Sequence, residues 1–249
     1  MTTHGDNNRA KLLEQAIRLK KAEAAPSAPK IPPRPADGEI RIGEYQHGLW
    51  LAHQIDPRSP AYNLASAFRV SGPLDIAKLR HAFDQVVSRH RLLHSTFQLE
   101  QGVVRQIEQP PPTSTVEVLE VEGGEARVAA VSEARKPFDL EIGPLTRMLV
   151  IRESEDGESV LLLVLHHILA DEKSLAALWR EIAEAYDGGR RPERDRIQYD
   201  DYVHWLEERD PDKREAELDY WRRKLDPLPE DLSLPFDRPA TGAIDARGR

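Results

Sequence analysis

Cysteine is absent from all 249 residues, which excludes a disulfide framework, a thiol nucleophile and a zinc ribbon. Long apolar runs are absent as well. The longest, Val160 to Leu165, is far too short to cross a bilayer. The opening stretch "MTTHGDNNRAK" lacks the apolar segment of a secretory signal, so a cytoplasmic protein with no membrane association is expected. Basic charge is outnumbered by acidic charge in the body of the chain. Residues 1–35 carry seven Lys/Arg against three Asp/Glu, a balance of +4, so the other 214 residues carry −12 to give the overall −8. A body of that sign argues against a nucleic-acid partner. What is present is a hydrophobic fraction of 39% over 249 positions, enough for a full core.

The basic end is set apart by composition. In "NRAKLLEQAIRLKKAEAA", Leu12, Leu13, Ala16, Ile17 and Ala22 fall near helical spacing, which predicts a short basic amphipathic helix. The proline-rich "APSAPKIPPRPADGE" that follows cannot continue a helix and reads as a tether. Residues 1–36 are therefore expected to be an arm and linker, either a frayed terminus or a docking segment. Residues 37–236 are expected to be the folded lobe, and 237–249, which lose apolar periodicity, a linker stub.

From about Ile40 strand and helix patterns alternate. "LASAFRVSG" reads as a strand closed by a turn. After Asp75, a predicted N-cap, Ile76, Leu79, Ala82, Phe83, Val86 and Val87 form one helical stripe. "HSTFQLEQGVVRQIEQ" predicts a hairpin turning at Gly102, and "LTRMLVIRESEDGESVLLLVLHHI" a second one turning at Asp156-Gly157. The last strand is apolar on both faces and belongs in the middle of a sheet. The fold class is α/β: a sandwich with one mixed sheet and helices packed mainly on one side.

That central strand ends in "LVLHHILADEKSL". Side chains alternate along a strand, so His166 and His167 face opposite ways and only one of them meets a given cleft. Leu175, Leu178, Ile182 and Tyr186 mark a following helix, with Asp171 as a candidate N-cap. From spacing alone two readings stay open, a catalytic base with its support, or a strand end followed by a capped helix. No metal site is expected, because His167 and Asp171 have no third ligand nearby.

"HHILADE" resembles the HHxxxDG motif of nonribosomal peptide synthetase condensation domains, within the chloramphenicol acetyltransferase-like superfamily. Five further blocks agree in order: "YQHGLWLAHQIDPRSPAYN" (45–63), "RHRLLHSTF" (89–97), "PFDLEIGPLTRMLVIR" (137–152), "YDDYVHWLEER" (199–209) and "YWRRKLDPLPEDLSLPFDRP" (220–239). The resemblance spans roughly residues 40–240. It implies a chloramphenicol acetyltransferase-like sandwich, present as a single N-terminal lobe, that takes part in amide formation between carrier-protein-bound thioesters. No bound cofactor is implied, since phosphopantetheine arrives on the partner carrier protein. The implied partners are peptidyl or acyl carrier proteins and the missing C-terminal lobe or adjacent synthetase modules. His167 is implied as the catalytic histidine, as base or as positioning group, with His166, Asp171, His94 and Arg89 in support.

Several positions depart from the family pattern. The motif glycine is Glu172, which is expected to modify the substrate channel. The arginine implied to pair with Asp171 is His94, which predicts a weaker, pH-dependent brace. The small-residue and arginine positions of the first block read Gly43, Tyr45 and Gly48, while Gln46, Leu49 and Trp50 remain. The family's later motifs are absent, so a second lobe is expected to be needed for turnover. Two alternatives stand beside this reading, a stand-alone trimeric acyltransferase and a non-catalytic module that binds carrier proteins.

Overall fold

A computed structural model describes residues 30–36, 39–111, 116–153, 158–189, 197–208 and 211–228. The chain divides into two units, Met1–Pro32 and Pro33–Arg249, and only residues 30–32 of the first are described. The predicted arm helix, the turn at Asp156-Gly157 and the stub at 237–249 lie outside the described residues.

In the second unit the order is α1 (Glu44–Ile55), β1 (Asn63–Val70), α2 (Ile76–Arg89), a single 3-10 turn (Arg91–His94), β2 (Ser95–Glu100) and β3 (Val103–Glu108). There follow β4 (Val116–Glu120), α3 (Ala126–Ala134), β5 (Thr146–Arg152), β6 (Ser159–His166), α4 (Glu172–Tyr186), α5 (Tyr199–Glu207) and α6 (Pro211–Lys224). One four-stranded sheet runs β1-β6-β5-β4. It is mixed, with β4 parallel to β5 and the other pairs antiparallel. β2 and β3 form a separate two-stranded ribbon, turned at Gln101 and Gly102, both with positive φ (50° and 83°), the backbone of a tight hairpin.

Register shows why β6 is apolar throughout. Phe68, Leu161, Val150 and Val118 are paired across the sheet and share one face. Phe68 meets Trp179 of α4 edge to face, with centroids 5.0 Å apart, so α4 and the α2 packed on it cover that face. The opposite face carries Val164, paired with Arg147, and His166. There the Arg147 guanidinium stacks 3.9 Å over the Phe138 ring and donates to the carbonyls of Glu133, Lys136 and Pro137 at the end of α3. Helical cover therefore lies on both faces, α2 and α4 on one and α3 on the other, where the sequence placed the helices mainly on one side. A strand apolar on both sides needs both sides covered.

Local rules account for the helices. Asp75 caps α2, accepting from Lys78 N at 3.0 Å, and Leu79, Ala82, Phe83, Val86 and Val87 are buried on its inner stripe. Leu175, Leu178 and Ile182 are buried on α4, and Tyr186 receives the Asp75 backbone N–H on its hydroxyl at 3.1 Å. The start of α5 is held by charge. Asp200, whose side chain is 2% exposed, accepts from Arg34 Nε at 2.5 Å and from Arg91 Nη2 at 2.9 Å. Asp201 accepts from the Arg34 backbone N at 2.9 Å and from Gln198 N at 2.7 Å. This cluster joins the 33–36 segment, the 3-10 turn and α5.

His166 belongs to the core. It is 3% exposed, and its ring contacts His53 of α1 (5.8 Å between centroids), Tyr62 (6.3 Å) and Phe138 (6.4 Å). Its Nδ1 accepts from Ile168 N at 3.1 Å, so the neutral ring carries its proton on Nε2. Burial, and then the neighbouring His53 and His167, lower its pKa to about 4. Burial also lowers that of His53, against the opposing pull of Asp139, Glu141 and Asp56.

Two outcomes follow for stability. Asp200→Ala removes the carboxylate that Arg34 and Arg91 share, and it should cost about 3 kcal/mol in urea unfolding, as when one partner of a buried ion pair is removed. Asp200→Asn, which keeps shape and hydrogen bonding, should cost less, and a loss within ~0.5 kcal/mol for Asp200→Ala would show that the cluster does not hold α5. Because His166 stays neutral in the fold down to about pH 4, whereas an unfolded histidine protonates near pH 6.5, the unfolded chain binds the extra proton between these values. The stabilisation is complete above about pH 6.5 and is lost as the pH falls toward 4, by up to about 3 kcal/mol. Urea midpoints measured from pH 7.5 to 4.5 should fall more steeply for the natural chain than for His166→Gln, with His53 leaving a residual slope. Parallel profiles would remove His166 as the source.

Candidate active site

The two histidines are fixed by the strands that flank β6. His166 N donates to Leu145 O at 3.0 Å, just before β5, and His167 N donates to Tyr62 O at 2.8 Å, just before β1. Adjacent N–H groups of a strand point to opposite edges, so each neighbouring strand holds one histidine backbone. The side chains diverge in the same way, His166 into the core and His167 into a half-buried position at the strand end.

The His167 ring has one defined tautomer. Its Nδ1 lies 2.8 Å from Ala170 O, and a carbonyl can only accept, so Nδ1 carries the proton. Nε2 therefore presents a lone pair. The Tyr45 hydroxyl stands 3.0 Å from Nε2 and 3.2 Å from Nδ1, with the rings in edge contact at 5.6 Å. A hydroxyl nearly equidistant from the two ring nitrogens lies over the imidazole and not along the Nε2 lone pair, so the phenol packs on the ring without occupying that lone pair.

Helix α1 runs across this strand end and is anchored by Gln46. That side chain is 1% exposed, donates from Nε2 to Ile168 O at 3.1 Å and accepts Gly43 N on Oε1 at 3.0 Å. One amide thus fixes the start of α1 against the loop that carries Ala170. Farther along the helix His53 meets His166. The approach of α5 is close: a Cβ at Gly43 would meet the Tyr199 hydroxyl at 3.3 Å. Burial, then Tyr202 and Tyr45, push the Tyr199 phenol pKa up, which keeps a neutral hydroxyl beside the site.

The other predicted residues are placed apart from the His167 ring. Asp171 caps α4, accepting from Ser174 N at 2.7 Å and Ser174 Oγ at 2.6 Å. These hydrogen bonds hold its carboxyl below the ordinary range. His94 does not pair with Asp171, which corrects the expected brace. It is buried, and its Nδ1 is 2.6 Å from Gln109 O, tying the exit of the β2–β3 ribbon to the 3-10 turn. The physical reason is competition: the local cap satisfies the aspartate, and the shorter imidazole is engaged by a backbone carbonyl. Arg89 Nη1 contacts Glu181 Oε2 at 2.5 Å, with His90 Nε2 at 3.0 Å from the same oxygen. Burial would raise the Glu181 pKa, but the His90 hydrogen bond and the charges of His90 and Arg89 bring it below the ordinary value. Arg89 thus clamps α2 to α4 without touching His167. Glu172 is the exposed first residue of α4, where a carboxylate complements the helix N-terminus.

Tyr45, Gln46, Asp200 and Asp201 escaped sequence reasoning as functional or supporting residues. The available signals were a tyrosine at a small-residue position and paired acids opening a helix. A groove of about 360 Å³ lined by Glu39, Arg41, Asp200, His204 and Glu207, among others, contains none of the predicted site residues. Among the described residues no group of three or more His, Cys, Asp or Glu side chains is arranged to hold a metal, and no helix is long and apolar enough to cross a membrane.

Comparison with known proteins identifies this arrangement. The family model "Condensation domain" matches residues 36–247. "Probable non-canonical nonribosomal peptide synthetase (NRPS) CymA" of Salinispora arenicola is 36% identical over 235 residues, covering 90% of this chain and 3% of that protein. Phosphinothricin tripeptide synthetase PhsC of Streptomyces viridochromogenes is 32% identical over 247 residues, covering 93% of this chain and 22% of that protein. The X-domain from teicoplanin biosynthesis, solved in complex with OxyB, is similar with a TM-score of 0.75 at 26% identity, over 87% of this chain and 50% of that one. The first condensation domain of the calcium-dependent antibiotic synthetase gives 0.66 at 26%, over 78% and 49%. The chain spans about half the length of these solved domains and a small part of the synthetases. It belongs to the condensation-domain family of nonribosomal peptide synthetases and has the chloramphenicol acetyltransferase-like fold.

Proposed function

We propose that this chain is the N-terminal lobe of a condensation domain and works with a second lobe to join a carrier-bound acyl thioester to the amine of a second carrier-bound aminoacyl group. The observation that carries this reading is the His167 tautomer, whose Nε2 lone pair stands at the half-buried end of the central strand. The amine nitrogen attacks the thioester carbonyl carbon, its proton passes to Nε2, and the C–S bond breaks. His167 then returns the proton to the departing thiolate, so the imidazole ends neutral. A neutral imidazole is well matched to this task near pH 7.

The phosphopantetheine arm that bears each thioester would arrive on a partner carrier protein. The carrier proteins, the second lobe or neighbouring modules are the partners, residues 1–36 serve as a docking or linker segment, and the setting is cytoplasmic. Glu172, at the mouth of the histidine loop, modifies substrate access. A second reading is supported by the X-domain likeness: that domain is seen bound to another protein, and a protein-binding module of this fold needs no turnover.

Holding amine, thioester and base together is worth about 7–11 kcal/mol of barrier, and one lobe supplies only part of the walls. The purified chain, given donor and acceptor carrier proteins, should therefore form no amide above background. Fusion to a matching second lobe should give turnover, and His167→Ala should lower it by roughly 10²–10⁴, while His166→Ala mainly costs stability. Robust turnover by the chain alone would overturn the requirement for a second lobe. Unchanged turnover in the His167→Ala fusion would remove the histidine from its role, and a folded, carrier-binding but inactive fusion would favour the binding module.

A further inference from the structure

We infer that Tyr45 is a specificity-determining residue: its ring, set against the His167 imidazole, is the inner end of an aromatic floor that selects a flat, apolar side chain on a substrate. The inference rests on the proposed amide-forming role and adds a substrate class to it. The Tyr45 and His167 rings are in edge contact, with centroids 5.6 Å apart and 69° between planes, so a group held on the phenol lies next to the reacting atoms. Helix α5 supplies three more rings. The Tyr199 hydroxyl approaches Gly43, two residues before Tyr45, at 3.3 Å from where a Cβ would stand. Tyr199 and Tyr202 are 6.0 Å apart between centroids, and Tyr202 and Trp205 are again 6.0 Å apart, as three-residue spacing on a helix requires. Tyr45 is 56% exposed, Tyr199 36% and Tyr202 37%, so these rings form a surface and not a core.

Two features make this floor a reader of apolar shape and not of charge. Each carboxylate on α1 and α5 already has a cation: Glu44 meets Arg214, Asp200 meets Arg34 and Arg91, Asp201 meets Arg91, and Glu207 meets Arg41. A cationic side chain therefore finds no unmatched carboxylate on these helices, and an anionic one meets the same carboxylates. An aromatic or apolar side chain instead buries its surface against the rings. The second feature is room. One turn along α1 from Tyr45, a Cβ at Gly48 would have nothing within 4 Å, so the flank of the phenol is open where a larger residue would have filled it. A planar group seated there leaves the Nε2 lone pair clear, because the Tyr45 hydroxyl lies over the imidazole and not along that lone pair.

The test uses the whole chain and reads binding before turnover. Pantetheine analogues that carry the acyl group through an amide in place of the thioester are titrated into isotope-labelled protein and followed by NMR. One arm compares 3-phenylpropionyl with acetyl, for the donor, and the other compares phenylalanyl with glycyl, for the acceptor amine. The aromatic analogue should bind about tenfold tighter than its small counterpart and shift the Tyr45 ring resonances, and the arm that shows this identifies the substrate being read. Tyr45→Phe, which keeps the ring, should retain the preference, and Tyr45→Ala should reduce it to within about twofold. Gly48→Leu, which fills the open flank and leaves Tyr45 in place, should also lower the preference, and it decides the matter if Tyr45→Ala does not fold. Equal affinities in both arms, no detectable binding of either aromatic analogue, or a preference that survives Tyr45→Ala would overturn the inference. In a two-lobe fusion, Tyr45→Ala should lower kcat/KM about tenfold more for the aromatic substrate than for its small counterpart. An equal fall for both would make Tyr45 a support for His167 and overturn the selective role. A fusion that forms no amide, while the chain still shows the preference in binding, would overturn the proposed function and leave the floor standing, so the two ideas fail separately.

Discussion

Two backbone hydrogen bonds at the end of β6 organise the rest of the structure. His166 N and His167 N are each received by the carbonyl of the residue just before a different flanking strand, Leu145 before β5 and Tyr62 before β1, so the two backbones are held from opposite edges. The pleat then sends one ring into the core and the other toward the strand's open end. The constraint exists only because β6 lies between β1 and β5; an edge strand would have left one of these N–H groups unpaired. The apolar character of β6 on both faces is thus the condition for a histidine pair held from both sides.

The elements around this end are tied to it by polar contacts distant in sequence. Gln46 reaches Ile168 across 122 positions, and Asp200 meets Arg34 across 166. The first contact is buried and the second partly so, and each costs more to break than it contributes while intact, because a stranded buried partner carries a desolvation penalty. Such contacts specify position more than they add stability. Arg89 and Glu181 perform the same task between α2 and α4, and they keep the helix that follows the histidine loop aligned with the sheet.

What was legible in the sequence was mostly local. The stripe from Leu79 to Val87, the cap at Asp75 and the turn at Gly102 follow from spacing and turn chemistry, because neighbours in sequence are neighbours in space. The family resemblance brought out the histidine pair, but it transferred the role of an arginine to His94 without regard to who else competes for Asp171. The nearer donor, three residues away at Ser174, occupied that carboxylate, and the plain reading of Asp171 as a helix cap was the one the geometry matches. The helical cover on the second face follows from a signal already visible, the run from Val160 to Leu165 with no polar face. Tyr45 was noticed as a departure from a small residue, but its partner lies 122 positions away, and no periodicity links the two.

The two adjacent histidines show how one side chain serves opposite ends. His166 accepts from a backbone N–H on Nδ1, and burial keeps it neutral down to about pH 4, which disqualifies it as a base near neutrality because a proton gained there would be a buried charge. His167 donates from Nδ1 to a carbonyl, the reverse arrangement, so its lone pair sits on the nitrogen farther from the backbone. A proton accepted on that nitrogen meets the half-buried end of the strand, beside the Tyr45 hydroxyl. The difference arises from one step of strand alternation and from which ring nitrogen the local backbone engages, and it leaves a single imidazole with both the access and the tautomer that proton transfer requires.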